Sequence, residues 1–178
     1  GDVVALVVAE SIEAARRGAA LVRAELTPMP AVLDMDEARL ARVVVNDAYP
    51  DNVCSHTHLQ KGDPERGFAE ADAVIDAVYE TSRVEHAYLE PDVVLVIPQD
   101  GDKLEIRGSM QHPFYTRQVV ADALSLPLEQ VLVRPDALGG SFGGKVEIIA
   151  AMAARAAVAA RALGRPVRAL WSRADEMG

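Results

Sequence analysis

The chain has 178 residues, half of them hydrophobic, so it is long enough to bury a core and to form one or two globular domains. Its net charge of -9 at pH 7 would repel a phosphate backbone, which disfavours nucleic acid as a partner. Its single cysteine excludes an internal disulfide and fits a reducing compartment, so we expect a cytoplasmic location.

The sequence contains no stretch suited to crossing a membrane. The apolar run Val3 to Ala9 is far too short, and the Ala-rich stretch Val146 to Leu163 carries three charged residues. We interpret the Ala-rich stretch as a buried helix and expect no membrane span. Because the sequence opens on Gly1 without an initiator methionine, we expect a piece of a longer protein.

The first 45 residues predict alternating strands and helices. The β-branched run Val3 to Ala9 is typical of a strand buried on both faces. Ser11 then occupies the N-cap position of a helix that Pro28 would stop. A short helix over Asp34 to Ala41 and a strand over Val43 to Val45 follow. This region is therefore predicted as a strand-helix-strand unit of ordinary core-building type.

The segment 46–67 is polar, contains two prolines and lacks periodicity, so we interpret it as a linker. It holds Cys54, His56 and His58, whose alternate spacing would place three potential zinc or copper ligands on one side of a strand. A structural zinc site normally has four closely spaced ligands, and a fourth is not evident here. We therefore favour solvent-exposed loop residues.

Antiparallel strands are predicted next. The β-branched and aromatic residues of Ala71 to Val84 favour a strand. Further on, the Asp100-Gly101 pair marks a hairpin turn between strands at Val93 to Ile97 and Lys103 to Arg107. The region from 71 to 109 is accordingly predicted to be antiparallel.

The last third of the sequence alternates helices and strands. Pro113 occupies the first position of a helix, and a strand over Gln130 to Val133 leads into a glycine-rich loop. A helix over Val146 to Ala162 is stopped at Gly164, and Val167 to Trp171 forms a final strand. The fold class predicted from all these elements is α+β, with mixed sheets packed against helices.

The glycine-rich loop has the composition of a ligand cradle. Glycines admit positive φ and leave backbone N–H groups open to a ligand, and the following helix directs its own free N–H groups and positive dipole end at any anion there. The loop therefore predicts a cradle for a phosphate or an oxo group, with a flexible turn as the alternative. Its six residues are Gly139, Gly140, Ser141, Phe142, Gly143 and Gly144.

Residues 139–145 also satisfy the Gly-x-x-x-x-Gly-Lys spacing of a nucleotide-binding P-loop. A P-loop requires a Ser or Thr hydroxyl after the lysine to hold Mg²⁺, and Val146 has none. No downstream hydrophobic strand ends in an aspartate that could bind the metal. We therefore disfavour ATP or GTP binding at this loop.

Three ordered segments carry a family resemblance. They are Val84 to Pro91 (Val-Glu-His-Ala-Tyr-Leu-Glu-Pro), Gly108 to Pro113 (Gly-Ser-Met-Gln-His-Pro), and Val131 to Lys145, which ends in Gly-Gly-Ser-Phe-Gly-Gly-Lys. With these segments in this order, the chain resembles the molybdenum hydroxylases, the large-subunit family of xanthine dehydrogenase, aldehyde oxidase and aerobic carbon monoxide dehydrogenase.

The resemblance implies a domain organisation. Residues 1–45 resemble the C-terminal part of the small hammerhead domain that precedes the molybdenum domains in that family. Residues 46–67 would be the linker, and residues 68–178 resemble the N-terminal part of an antiparallel-rich molybdopterin-binding domain.

The resemblance also implies roles at the motifs. Gln111 would hydrogen-bond an oxygen on molybdenum, and Phe142 would offer its backbone N–H to the same metal-oxygen region, neither being a direct protein ligand of the metal. Gly140, Ser141 and Gly143 complete the implied cofactor-binding set. A neutral amide and a backbone N–H can orient an oxo group without adding charge.

One departure from the family concerns the substrate. In xanthine-oxidising members a glutamate directly follows the motif lysine and hydrogen-bonds the purine. That position is Val146 here, with Glu147 one residue later and roughly 100° further round a helix. The departure disfavours a purine substrate and leaves Val146 as the candidate residue of the substrate pocket.

The function implied by the resemblance is that of a part of a molybdenum-dependent oxidoreductase, which oxidatively hydroxylates an aldehyde or N-heterocycle or oxidises CO. Its cofactor would be molybdopterin in a dinucleotide form, with iron-sulfur clusters and FAD on partner domains or subunits beside the remaining molybdenum-subunit domains. The family's general-base glutamate has no counterpart here, so no catalytic residue is assigned and the isolated chain is expected to be inactive. The alternative is a cofactor-free binding or assembly module of the same fold.

Overall fold

The computed structural model describes residues 3–177. The chain folds into two compact units, one made of residues 1–23 and 82–178 and the other of residues 24–81. The helices are α1 (Ile12–Ala19), α2 (Met35–Arg39), α3 (Pro64–Glu70), α4 (Pro113–Leu124), α5 (Glu147–Leu163) and α6 (Arg173–Glu176), with a 3-10 turn at Leu128–Gln130. The strands are β1 (Val93–Gln99), β2 (Lys103–Gly108), β3 (Val131–Pro135) and β4 (Val167–Leu170). This content confirms the α+β prediction.

In the unit of residues 24–81, one asparagine side chain organises the loop that follows α2. The Nδ2 group of Asn52 donates hydrogen bonds to the carbonyl oxygens of Ala38 and Val43, each at 2.8 Å, and its Oδ1 accepts one from the N–H of Val45 at 2.9 Å. The strand predicted over Val43 to Val45 is therefore wrong, because these backbone groups bond to a side chain instead of a neighbouring strand. Residues 46–63 form neither helix nor strand.

The other unit is built on a four-stranded sheet with the order β3-β2-β1-β4. β1 pairs antiparallel with β2 and with β4, whereas β2 pairs parallel with β3. The hairpin prediction is confirmed: Gly101 and Asp102 both adopt positive φ in the turn, and Gln99 pairs with Lys103 beside it. The sheet is thus mixed and mainly antiparallel.

Helices α4 and α5 supply the other half of the core. Val94 and Val96 alternate inward from β1 and are fully buried against the Ala-rich face of α5, whose small side chains let the helix approach the sheet closely. α5 ends, as predicted, at Gly164, which takes a left-handed φ of 61°. Within residues 3–177, no helix combines the length and the apolar composition required to cross a lipid bilayer.

Two longer strand predictions are wrong. Residues 3–9 and 71–84 form no strand, and most of their hydrophobic side chains are exposed, with 71% exposure for Val4 and 89% for Ile75. A β-branched run becomes a strand only where a neighbouring strand receives its backbone hydrogen bonds, and no described strand pairs with either run. The helix predicted after Ser11 is confirmed, with the Ser11 hydroxyl capping it, but it ends already at Ala19.

Candidate functional site

The glycine-rich loop between β3 and α5 folds as a tight turn. Gly140 and Gly143 have φ values of 98° and 103°, a region that residues with a Cβ rarely adopt, and Phe142 is left-handed at 50°. The N–H of Gly144 closes the turn by donating to the carbonyl oxygen of Ser141 at 2.7 Å. The Phe142 side chain is 77% exposed. The loop backbone therefore depends on glycine, as the sequence predicted.

The first motif segment lies directly against this loop. A Cβ added at Gly139 would lie 2.5 Å from the Cβ of Glu90, and one added at Gly144 would lie 2.5 Å from Cε1 of Tyr88. A Cβ added at Gly140 would lie 3.1 Å from the Cβ of Tyr88. These glycines are thus required for packing between two motif segments as well as for the shape of the loop.

Lys145 points into the protein. Its side chain is fully buried, and its Nζ lies 2.9 Å from Oε2 of Glu90, 3.2 Å from Oγ of Ser109 and 4.7 Å from the centroid of the Tyr88 ring. A P-loop lysine must instead reach the phosphates of a bound nucleotide. The orientation of Lys145, together with the missing hydroxyl at Val146, is therefore an argument against the P-loop alternative.

The Glu90 carboxylate is held in its ionised form. Burial disfavours the charge, but hydrogen bonds from Lys145 Nζ and from the N–H of Gly139, the latter at 2.7 Å, outweigh burial and lower the pKa of Glu90 below its usual range. The backbone N–H of Glu90 also donates to the carbonyl oxygen of Gly139 at 3.2 Å. Glu90 and the start of the loop are therefore connected by both backbone and side chain.

Two cations lie close to the ring of Tyr88. Lys145 Nζ lies 4.7 Å and the Arg173 guanidinium 5.6 Å from the ring centroid, distances at which a cation is attracted to an aromatic face. The hydroxyl donates to Oδ2 of Asp92 at 3.0 Å, and burial together with this carboxylate raises the pKa of Tyr88 well above its usual value. Tyr88 is thus a neutral, fixed part of the site.

The C-terminal end of the chain holds the first motif segment from the other side. The guanidinium of Arg173 donates to the carbonyl oxygens of Tyr88 and Leu89, and the N–H of Trp171 donates to the carbonyl oxygen of Asp92 at 3.0 Å. The N–H of Asp92 donates in turn to the carboxylate of Glu176. β4 and α6 therefore complete the support of the site.

Gln111, in the second motif segment, is joined to the loop by its backbone. Its N–H donates to the carbonyl oxygen of Lys145 at 3.0 Å. Its side-chain amide is exposed and forms no hydrogen bond within residues 3–177. All three segments that carry the family resemblance thus meet around Lys145, and Gln111 has a side chain free to bind a ligand.

The loop presents backbone donors suited to an anionic or oxygen-rich group. The N–H groups of Gly140, Ser141, Phe142 and Gly143 have no acceptor among the described residues. Helix α5 begins next to them with Val146 at its N-cap, which provides no side-chain cap, so its positive end is also free. Such clustered N–H groups bind phosphate or oxo oxygens, and these residues therefore fit a phosphate- or oxo-bearing cofactor.

The sequence alone assigns Glu90, Ser109 and Tyr88 no role, although each lies in a segment that carries the resemblance. One sequence signal could have suggested their contact: Glu90 and Lys145 have opposite charges and lie in two different motif segments, 55 positions apart. The spacing around Lys145 indicates only a phosphate-binding residue. A buried role for it could not be read from local spacing, because the partner comes from a distant segment.

The remaining candidates lie as follows. Val146 is half-buried at the start of α5. Cys54, His56 and His58 are exposed in the unit of residues 24–81. Across residues 3–177, no three His, Cys, Asp or Glu side chains come close enough together to hold a metal ion.

A loop of free backbone amides at the N-terminus of α5, held by the contact between Lys145 and Glu90, is suited to binding an anionic or oxygen-rich cofactor. The family model of the molybdopterin cofactor-binding domain matches residues 45–178. The chain belongs to this family, and the resemblance to the molybdenum hydroxylases is confirmed.

Named relatives agree with this assignment. Xanthine dehydrogenase of Dictyostelium discoideum is 34% identical over 178 residues, covering 99% of this chain and 12% of that protein. Aldehyde oxidase 2 of Rattus norvegicus is 33% identical over 180 residues, covering 99% of this chain and 13% of that protein. The crystal structure of quinoline 2-oxidoreductase from Pseudomonas putida 86 superposes with a TM-score of 0.79 at 26% identity, covering 94% of this chain and 21% of that one. The chain thus spans a small part of the length of these relatives.

Proposed function

We propose that this chain forms part of the molybdenum cofactor site of a larger oxidoreductase, which oxidatively hydroxylates an aldehyde or an N-heterocycle or oxidises CO. The observation that carries the proposal is the row of free N–H groups from Gly140 to Gly143, in a chain that belongs to the molybdopterin cofactor-binding family. The names of its relatives, which include a xanthine dehydrogenase, an aldehyde oxidase and a quinoline oxidoreductase, support small-molecule oxidation.

In this proposal the chain binds and orients the cofactor. Gln111 donates through its side-chain amide and Phe142 through its backbone N–H toward oxygen atoms around the metal, without coordinating the metal itself. Gly140, Ser141 and Gly143 supply the neighbouring donors. Because all of these donors are neutral, they fix orientation without adding charge. The molybdenum cofactor, when bound, supplies the electron-transfer chemistry.

Other parts of the enzyme would complete the reaction. An iron-sulfur cluster requires four cysteine thiolates in its common form, and this sequence contains one cysteine. We therefore place iron-sulfur clusters, and with them FAD, on partner domains or subunits, and the general-base glutamate in the remaining molybdenum-subunit domains. Residues 1–178 alone are then expected to show no hydroxylase activity. The dinucleotide form of the pterin and a cytoplasmic location belong to the same proposal.

The predicted domain boundaries remain part of the proposal. Residues 1–45 would close a hammerhead domain, residues 46–67 would link the domains, and residues 68–178 would open the molybdopterin-binding domain. The family match covers residues 45–178 and so includes the proposed linker together with the segment 68–178.

Val146 would narrow the choice of substrate. It stands next to the proposed cofactor loop and its side chain can neither donate nor accept a hydrogen bond. A purine bound beside Val146 would have polar groups that this apolar side chain cannot hydrogen-bond, and unpaired polar groups weaken binding. We therefore favour an aldehyde or a less polar heterocycle over a purine.

The test is the composition of the intact enzyme, expressed in a host that makes the molybdenum cofactor. We expect molybdenum and pterin to co-purify with it and aldehydes or N-heterocycles to be oxidised. A protein that contains neither, purified beside a xanthine dehydrogenase control that does load, would refute the proposal and favour the cofactor-free module.

A further inference from the structure

We infer that the ion pair between the buried Lys145 and the partly exposed Glu90 is a positioning device, which fixes the glycine-rich loop and Gln111 relative to one another. The inference rests on the proposed function, because it concerns how that cofactor site is kept in shape. Neither residue would touch the cofactor. Both would act through the loop backbone between them.

A single ammonium group connects the three motif segments. A lysine has three N–H donors. Nζ of Lys145 donates one hydrogen bond to Glu90, in the first motif segment, and one to Ser109, in the second motif segment. Lys145 is itself the last residue of the third motif segment. The ring of Tyr88 covers the same group at 4.7 Å. Each segment is thereby held by its contact with one buried charge.

The same ion pair holds both ends of the loop. Oε2 of Glu90 accepts from the N–H of Gly139 at 2.7 Å, which fixes the first loop residue, and from Lys145 Nζ at 2.9 Å, which fixes the residue after the last glycine. The carbonyl oxygen of Lys145 in turn accepts a hydrogen bond from the N–H of Gln111 at 3.0 Å. The position of Gln111 relative to the loop amides therefore depends on where Lys145 is held.

The loop needs such a device because it has few side chains of its own. Glycines offer no side chain for packing and have more backbone freedom to lose than any other residue. The Phe142 side chain is mainly exposed and does not anchor the turn in the core. At the two ends of this loop, the polar contacts of Glu90 with Gly139 and Lys145 supply the fixation that hydrophobic packing supplies in other elements.

The two partners differ in exposure, and this predicts unequal effects of their removal. The Lys145 side chain is 0% exposed, whereas that of Glu90 is 33% exposed. Glu90→Gln leaves a buried ammonium without its counter-charge, while Lys145→Met leaves a carboxylate that water can reach and that keeps its bond from Gly139. Because an uncompensated buried charge is strongly unfavourable, E90Q should be the more damaging change.

The experiment compares E90Q, K145M and the E90Q/K145M double variant in the intact enzyme. Glu10→Gln serves as the matched control, since it breaks an ion pair with Arg165 whose side chains are 80% and 65% exposed. Hydrogen exchange is measured at the N–H groups of Gln111 and Gly144. Both donate to carbonyl oxygens that the substitutions leave in place.

We expect exchange at these two amides to be about tenfold faster or more in E90Q and also faster in K145M, with no change in E10Q. The double variant separates positioning from stability. Removing both charges ends the cost of a lone buried charge, so the melting temperature should return toward that of the unmutated protein. The loop has still lost its anchor, so exchange at Gln111 and Gly144 should stay fast. In the loaded enzyme, kcat per bound molybdenum should fall together with this loosening.

Unchanged exchange in K145M, or exchange that follows the melting temperature across all variants, would overturn the inference. If E90Q fails to fold, K145M and the double variant decide the question by themselves. An intact enzyme that holds no molybdenum would end the proposed function, whereas the exchange measurements would still test whether the ion pair positions the loop.

Discussion

The backbone N–H of Gln111 donates a 3.0 Å hydrogen bond to the carbonyl oxygen of Lys145. This bond joins the segment before α4 to the end of the glycine-rich loop without using either side chain. The Gln111 side chain is left exposed and unbonded within the described part of the chain. A substitution of Gln111 therefore tests the side chain alone, because the backbone link remains.

Gln111→Ala should lower the hydroxylation rate of the intact enzyme while leaving most of the cofactor bound. Removing one oriented donor near developing charge typically lowers a rate on the order of a hundredfold or more, whereas losing one neutral hydrogen bond weakens binding by about 0.5 to 1.5 kcal/mol. Metal content and kcat are measured on the same preparation. Gln118→Ala, on the exposed side of α4, is the matched control. A kcat per bound molybdenum equal to that of the unmutated enzyme would show that Gln111 does not act at the metal.

Gly144→Ala should destabilise the protein. A methyl group there would lie 2.5 Å from the Tyr88 ring, which is buried and lies close to two cations, so the strain should amount to about 1 to 3 kcal/mol of unfolding free energy. Gly67→Ala in α3 is the control, since nothing lies within 4 Å of the added methyl group and φ there is not positive. It should stabilise by about 0.4 to 1 kcal/mol. Denaturant unfolding of both variants measures the difference, and equal stabilities would contradict the close packing of Gly144.

The unfolding free energy of the Asp92→Asn variant, relative to that of the unmutated protein, should increase as the pH rises. Burial raises the pKa of the Asp92 carboxyl above its usual 3.8, so between that value and the folded pKa the folded state binds more protons than the unfolded state. Stability contributed by this group therefore falls as pH rises through that interval. Glu90, with its lowered pKa, acts in the opposite sense and loses its contribution as pH falls below 4.5.

The measurement is the unfolding free energy of both proteins from about pH 3.5 to about pH 7. The difference between variant and unmutated protein isolates Asp92, because Glu90 is present in both. A difference that stays constant over this range would mean that Asp92 titrates alike in the folded and unfolded states.

ATP with Mg²⁺ should leave the melting temperature unchanged even at millimolar concentration. A ligand that binds only the folded state raises its stability by mass action, but Lys145 is buried against Glu90 and cannot reach a phosphate. Thermal unfolding with and without nucleotide measures this. A saturable upward shift would require Lys145 to leave its buried site and would restore the P-loop interpretation.

Features governed by short-range chemistry were predictable from the sequence. The Asp100-Gly101 turn, the proline at the start of α4 and the glycine after α5 each specify a local backbone conformation, and all three elements formed where predicted. The strands predicted over residues 3–9 and 71–84 failed because a strand also needs a partner, and partners are not encoded locally.

The candidate site also has features that are set locally and features that depend on distant segments. The glycine spacing around Phe142 marks the loop because the loop conformation is local. The contact between Lys145 and Glu90 depends on the fold that brings two distant segments together, so the burial of the lysine emerges only in three dimensions. Residue type and spacing thus predict the candidate ligand loop, but not the contacts that hold the loop in shape.

The support that β4 and α6 give to the first motif segment implies an order of events during synthesis. The guanidinium that bonds the carbonyl oxygen of Tyr88 belongs to Arg173, 85 positions later in the chain, and β1 gains its second neighbour only when β4 has formed. A ribosome delivers the chain from its N-terminus, so the three motifs emerge before the residues that lock them. The first motif segment can therefore gain these contacts only after the residues up to Glu176 have been synthesised.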